Sequence, residues 1–91
     1  MKDLKQLIVK KLVNAADEEL TIDIVLKEKN DFRQLALNSL SIIKWIVLLE
    51  DEFDIEIDIE RVIVEEPILW SLDQLSSFIA NEIPSQSNAI N

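Results

Sequence analysis

The sequence predicts a small all-α protein, a bundle of three main helices and one short one. Three observations carry that reading. Hydrophobic residues make up 48% of 91 positions, enough for one modest core. Apolar residues recur at helical spacing in three separate stretches. Two of those stretches open on recognisable capping residues, Asn38 and Ser71.

The first predicted helix runs from Asp3 to Ala16. Leu4, Leu7, Ile8, Lys11 and Leu12 share a face on which only Lys11 is polar. Asp3 with Gln6 resembles a capping box, and Lys10 and Lys11 lie where cations suit the helix dipole. Residues 20–37 are expected to form a long first loop. Within it "LTIDIV" alternates weakly without a partner strand, and Leu20, Ile22, Val25, Phe32 and Leu35 are candidate anchors to the core. A connection of this length in a compact domain is often functional.

The second main helix is predicted over Ser39–Phe53, with Asn38 as its N-cap. At 100° per residue, Ile42, Trp45, Ile46, Leu49 and Phe53 form the core stripe. Leu40, Ile43 and Val47 form a second apolar group rotated away from it, bordered by Lys44, Glu50 and Asp51. That group is either a docking patch or part of a broad core face covered by the long loop; periodicity alone leaves both open. A short third helix is expected over Ile59–Val64, after Asp58 and before Pro67. The last helix opens on an S-x-x-Q capping box, Ser71 and Gln74, with Trp70 and Leu75 at the staple positions. Leu72, Leu75, Phe78, Ile79 and Ile83 supply its apolar face. Residues 1–83 are thus expected to form one domain, and residues 84–91 a flexible tail.

Composition excludes several functions. The chain has no His and no Cys, so Ser/His and Cys/His nucleophile pairs, disulfides and a usual zinc site are absent. It has no Gly, and so no phosphate-cradling glycine loop. A self-contained enzyme is not expected. There is no apolar run long enough to span a membrane and no signal-peptide pattern, so a cytoplasmic location is expected. The net charge is −9. Residues 1–44 carry eight basic and seven acidic side chains, whereas residues 45–91 carry one and eleven. Such a surface repels nucleic acid and suits basic protein partners. The acidic stretch "EDEFDIEIDIE" lacks the glycine and spacing of a calcium loop, and is expected to be a solvated face without a metal site.

Ser39 admits three readings: a polar residue at a helix start, a nucleophile, or an acceptor modified by another enzyme. The nucleophile lacks a histidine base. A phosphate ester there would sit favourably against the helix N-terminus.

The stretch "LALNSLSIIKWIVLLEDEFDIEI" resembles the acyl carrier protein family, which includes peptidyl carrier domains. The family pattern is D-S-L, then an amphipathic helix ending in E-x-E-F, then I-x-I. Here Asn38-Ser39-Leu40, Glu50-Asp51-Glu52-Phe53 and Ile55-Glu56-Ile57 occupy these places. The resemblance extends over roughly residues 4–82. It implies a four-helix bundle with a long first loop and a short third helix. It also implies a covalent 4′-phosphopantetheine on Ser39, transferred from coenzyme A by a phosphopantetheinyl transferase. The carrier would then be a monomer that shuttles thioester-bound cargo, without catalysis, between a loading enzyme and downstream biosynthetic enzymes. Leu40, Ile43 and Val47, with Lys44, Glu50 and Asp51, would form its docking face. Three departures bear on the setting. Asn38 replaces the usual aspartate, Lys44 stands where fatty-acid members carry an acid, and the segment Asp58–Trp70 is longer than in the compact type. These favour a discrete carrier of polyketide or non-ribosomal peptide biosynthesis. The alternatives are a fatty-acid synthesis carrier or an unmodified helical interaction module.

Overall fold

A computed structural model describes residues 4–16 and 19–83. Asp3 and its capping box, and the tail 84–91, lie outside the described residues. The described residues form four α-helices: α1 (Leu4–Ala15), α2 (Ile22–Lys27), α3 (Ser39–Phe53) and α4 (Leu72–Glu82). A 3-10 turn covers Phe32–Leu35, and a π-helical turn covers Arg61–Glu65. Among the described residues there is no strand. The all-α bundle expected from the periodicity is therefore the observed architecture.

The core is built where α1, α3 and α4 turn their apolar stripes inward. Ile8, Val9 and Leu12 come from α1, Trp45, Ile46 and Leu49 from α3, and Leu75 and Ile79 from α4; all are buried. Trp45 sits at the centre. Its indole Nε1 donates to the Ile8 carbonyl oxygen at 3.1 Å, so the one polar atom of a fully buried ring is satisfied. Its ring meets Phe32 edge-on, with centroids 5.5 Å apart and an interplanar angle of 80°. Ile42 and Phe53, at the ends of the expected stripe, are half-buried. On α1 the inward face is rotated slightly from expectation: Val9 and Ala15 are buried, while Leu4 and Leu7 are only half-buried. Lys11 is accommodated on this face by an ion pair with Glu52, 3.1 Å away.

The long first loop is not extended throughout. It contains α2, capped by Thr21, whose hydroxyl oxygen accepts from the Ile24 amide at 3.2 Å. It also contains the 3-10 turn, where Asp31 accepts from the Arg33 amide and pairs with its guanidinium. Of the expected anchors, Val25 and Phe32 are fully buried and Leu20 and Leu35 half-buried, whereas Ile22 is exposed. Six residues give less than two helical turns, too few for periodicity to reveal a helix. Two backbone hydrogen bonds tie this connection to the approach to α4. The Phe32 amide donates to the Trp70 carbonyl at 2.7 Å, and the Leu72 amide to the Lys29 carbonyl at 2.8 Å.

The short third helix occurs where expected and is capped as expected. Asp58 Oδ1 accepts from the amides of Glu60 and Arg61. Its winding is wider than α: the Glu66 amide donates to the Arg61 carbonyl five residues back, at 2.7 Å. The capping residue of α4 is Ser71, whose Oγ accepts from the Gln74 amide at 3.4 Å.

Candidate functional site

The start of α3 is fixed by the chain that leads into it. Ala36 closes the 3-10 turn in the left-handed region, φ 54° and ψ 46°, with its amide donating to the Arg33 carbonyl. Asn38 then returns to an extended conformation, φ −82° and ψ 165°, as an N-cap requires. Its side-chain oxygen accepts from the Ser41 amide at 2.8 Å, which occupies one of the unpaired donors of the first turn. Ser39 follows as the first helical residue and is exposed to solvent. The amides of Ser39 and Leu40 have no carbonyl one turn earlier within the helix. The positive end of a 15-residue helix dipole thus lies beside an accessible hydroxyl.

The second apolar group of α3 is not part of a broad core face. Leu40 is 56% exposed, Ile43 45% and Val47 53%. The first loop packs elsewhere and does not cover them. Their spacing of three and four residues sets them in one stripe that begins next to Ser39. The opposite side of the same helix buries Trp45, Ile46 and Leu49. Lys44 and Asp51 are exposed; Asp51 lies four residues beyond Val47 on the same face. Glu50 differs. It is half-buried, and its Oε2 accepts from the Ile57 amide at 2.8 Å, pinning the segment after α3 to the helix. Sequence reading did not anticipate that bond, since Glu50 and Ile57 are neighbours only once the chain has turned at Asp54. Asp54 is the helix C-cap and, like Ala36, has a left-handed conformation, φ 55°.

This exposed serine carries no activating base. The chain has no His, and among the described residues no group of three or more carboxylates could hold a metal ion. The exposed hydroxyl is sterically open to modification by a separate enzyme. The structure thus places a solvent-exposed hydroxyl at the head of a long amphipathic helix in a helical bundle. The family model for the phosphopantetheine attachment site matches residues 8–67, about two thirds of the chain, and the chain belongs to that family. The family carries a covalently attached 4′-phosphopantetheine prosthetic group, and its members are in general non-catalytic shuttles that interact with phosphopantetheinyl transferases and biosynthetic enzymes. The residues present fit such a group: the hydroxyl is accessible, and a phosphodiester there would face unpaired amides rather than the acidic side chains of the second half. No curated protein and no solved structure matches the chain significantly. No helix among the described residues is long and apolar enough to cross a membrane.

Proposed function

We propose that this protein is a monomeric, cytoplasmic acyl or peptidyl carrier whose Ser39 bears 4′-phosphopantetheine. The observation that carries the reading is the exposed Ser39 at the head of α3, next to the exposed stripe of Leu40, Ile43 and Val47. Ser39 Oγ would lose its proton as the new Oγ–P bond forms. The diphosphate P–O bond of coenzyme A breaks, and the adenosine nucleotide leaves. The attached group supplies a terminal thiol that holds cargo as a thioester. Asn38 keeps the first turn wound and Ser39 exposed. Leu40, Ile43 and Val47, with Lys44 and Asp51, form the surface that partner enzymes grip, while Glu50 holds the adjoining segment in place. The exchange of Asp for Asn at position 38 and the cation at position 44 favour a polyketide or non-ribosomal peptide setting; fatty-acid synthesis is the alternative.

The test is intact-protein mass after incubation with coenzyme A, magnesium and a broad-specificity phosphopantetheinyl transferase. One phosphopantetheinyl addition is expected, and none in Ser39→Ala, whose helicity should match the parent. No addition to the folded protein with several transferases would overturn the reading and leave an unmodified interaction module, with Asn38 as the residue responsible.

A further inference from the structure

A second concave feature lies between α1, α2 and the start of α4, and no α3 residue lines it. It encloses about 450 Å³, within the range of small-molecule sites. Its apolar lining is Val9 and Leu72, both buried, with Ile22 and Leu26, which remain 45% and 42% exposed. Ile22 and Leu26 stand one turn apart on α2, a helix that buries only Val25. α2 therefore presents more apolar surface to the groove than the core requires.

The polar lining is Lys5, Gln6, Lys10, Lys29 and Asp73. The chain has nine cationic side chains against eighteen acidic ones, yet three of the nine meet one acid here. The groove is thus a positive island on a strongly acidic protein. Lys5 Nζ reaches Asp73 Oδ1 at 2.7 Å. Its hydrogen bond and charge, joined by the charge of Lys29, hold the Asp73 carboxyl below its ordinary value. The shape is built in advance, because the Leu72 amide to Lys29 carbonyl bond fixes the start of α4 against the end of α2.

We propose that this groove binds an amphiphilic anion, with a single aliphatic chain lying against Val9, Ile22, Leu26 and Leu72 and an anionic head at Lys10 and Lys29. The apolar lining alone would accept any chain; the lysines select the negative head and disfavour a positive one. A carboxylate and a phosphate monoester share the required chemistry. The inference is independent of what happens at Ser39, and the unmodified protein serves to test it.

The experiment is a 1H–15N titration of the unmodified protein with decanoate below its micelle concentration, at low ionic strength. Saturable shifts are expected at the amides of Val9, Ile22, Leu26 and Leu72, with α3 unaffected. Decyltrimethylammonium should not saturate the site. Lys10→Glu combined with Lys29→Glu should weaken decanoate roughly tenfold, as expected for reversing two exposed charges. Leu26→Gln should also weaken it, and both variants should keep parental circular dichroism because these positions are exposed. Decyl phosphate binding as well as decanoate shows that the site reads charge, and a preference for either names the head group. Shifts that never saturate, shifts centred on α3, equal binding of the cationic amphiphile, or association with anionic vesicles but not with monomeric decanoate would each overturn the proposal.

Discussion

Ala36→Gly is expected to stabilise the protein although it removes a side-chain carbon and adds no contact. Ala36 holds φ 54°, a conformation that costs an L-residue about 1–2 kcal/mol because Cβ crowds the neighbouring carbonyl. Glycine adopts it without that clash but loses about 0.5–1 kcal/mol more backbone freedom on folding. The difference favours glycine by about 0.5–1 kcal/mol. For a domain of this size that is a rise of about 2–8 °C in Tm. Urea unfolding followed by tryptophan fluorescence measures it directly, and the m-value should not change. Ala36→Val provides the opposite sign, since a branched Cβ at positive φ is a steric outlier. Asp54→Gly, at the other end of α3, should stabilise less, because Asp visits the left-handed region more readily than Ala. The two sites lie about 22 Å apart along a 15-residue helix, so their effects should add. A loss of stability in Ala36→Gly, or a gain in Ala36→Val, would refute the left-handed assignment and with it this account of how the chain enters α3.

Four further outcomes are expected. Asn38→Ala should cost about 1 kcal/mol in the same urea assay by removing the bond to the Ser41 amide, whereas Asn38→Asp should retain it. Trp45→Phe should cost about 1–3 kcal/mol through the lost indole bond to the Ile8 carbonyl and the smaller ring, read by thermal unfolding. Val47→Asp should leave stability within about 0.5 kcal/mol of the parent, because the site is exposed, while abolishing transferase or partner binding in a pull-down or titration. The Lys5–Asp73 pair should contribute a pH-dependent increment. Asp73's folded pKa lies below its ordinary 3.8, so the contribution is complete above that value and is lost as pH falls through the lowered one. The stability difference between the parent and Lys5→Gln, measured from pH 6 to 2.5, should therefore shrink at the acidic end.

The elements that the sequence disclosed are those whose signals are local. The α3 stripe declared itself because Ile42, Trp45, Ile46, Leu49 and Phe53 recur at helical spacing along the helix. Ser71 and Asp58 declared themselves because a cap acts within three residues. α2 did not, since six residues with one buried side chain carry no period, and its Thr21 cap is a weak signal in isolation. Phe32 was a visible anchor, but its place against Trp45 depends on the 3-10 turn that delivers it. At the candidate site, spacing placed Asn38, Ser39 and the second apolar group on α3, but only the family resemblance singled them out as a site. Their exposure could not be read from spacing, because it depends on where the first loop packs. The roles of Glu50 and Lys11 were also hidden, as each is settled by a residue on another segment, Ile57 and Glu52.

α3 divides its labour by face. Trp45, Ile46 and Leu49 hold the bundle together, and none of them lies on the exposed stripe. Leu40, Ile43 and Val47 contribute little to folding, so substitutions there are nearly free of structural penalty. A lineage carrying this helix can drift at those three positions while the fold stays within its narrow margin of stability. Under the proposed function, re-targeting the protein to a different enzyme then requires no new scaffold, only a few changes along one exposed edge.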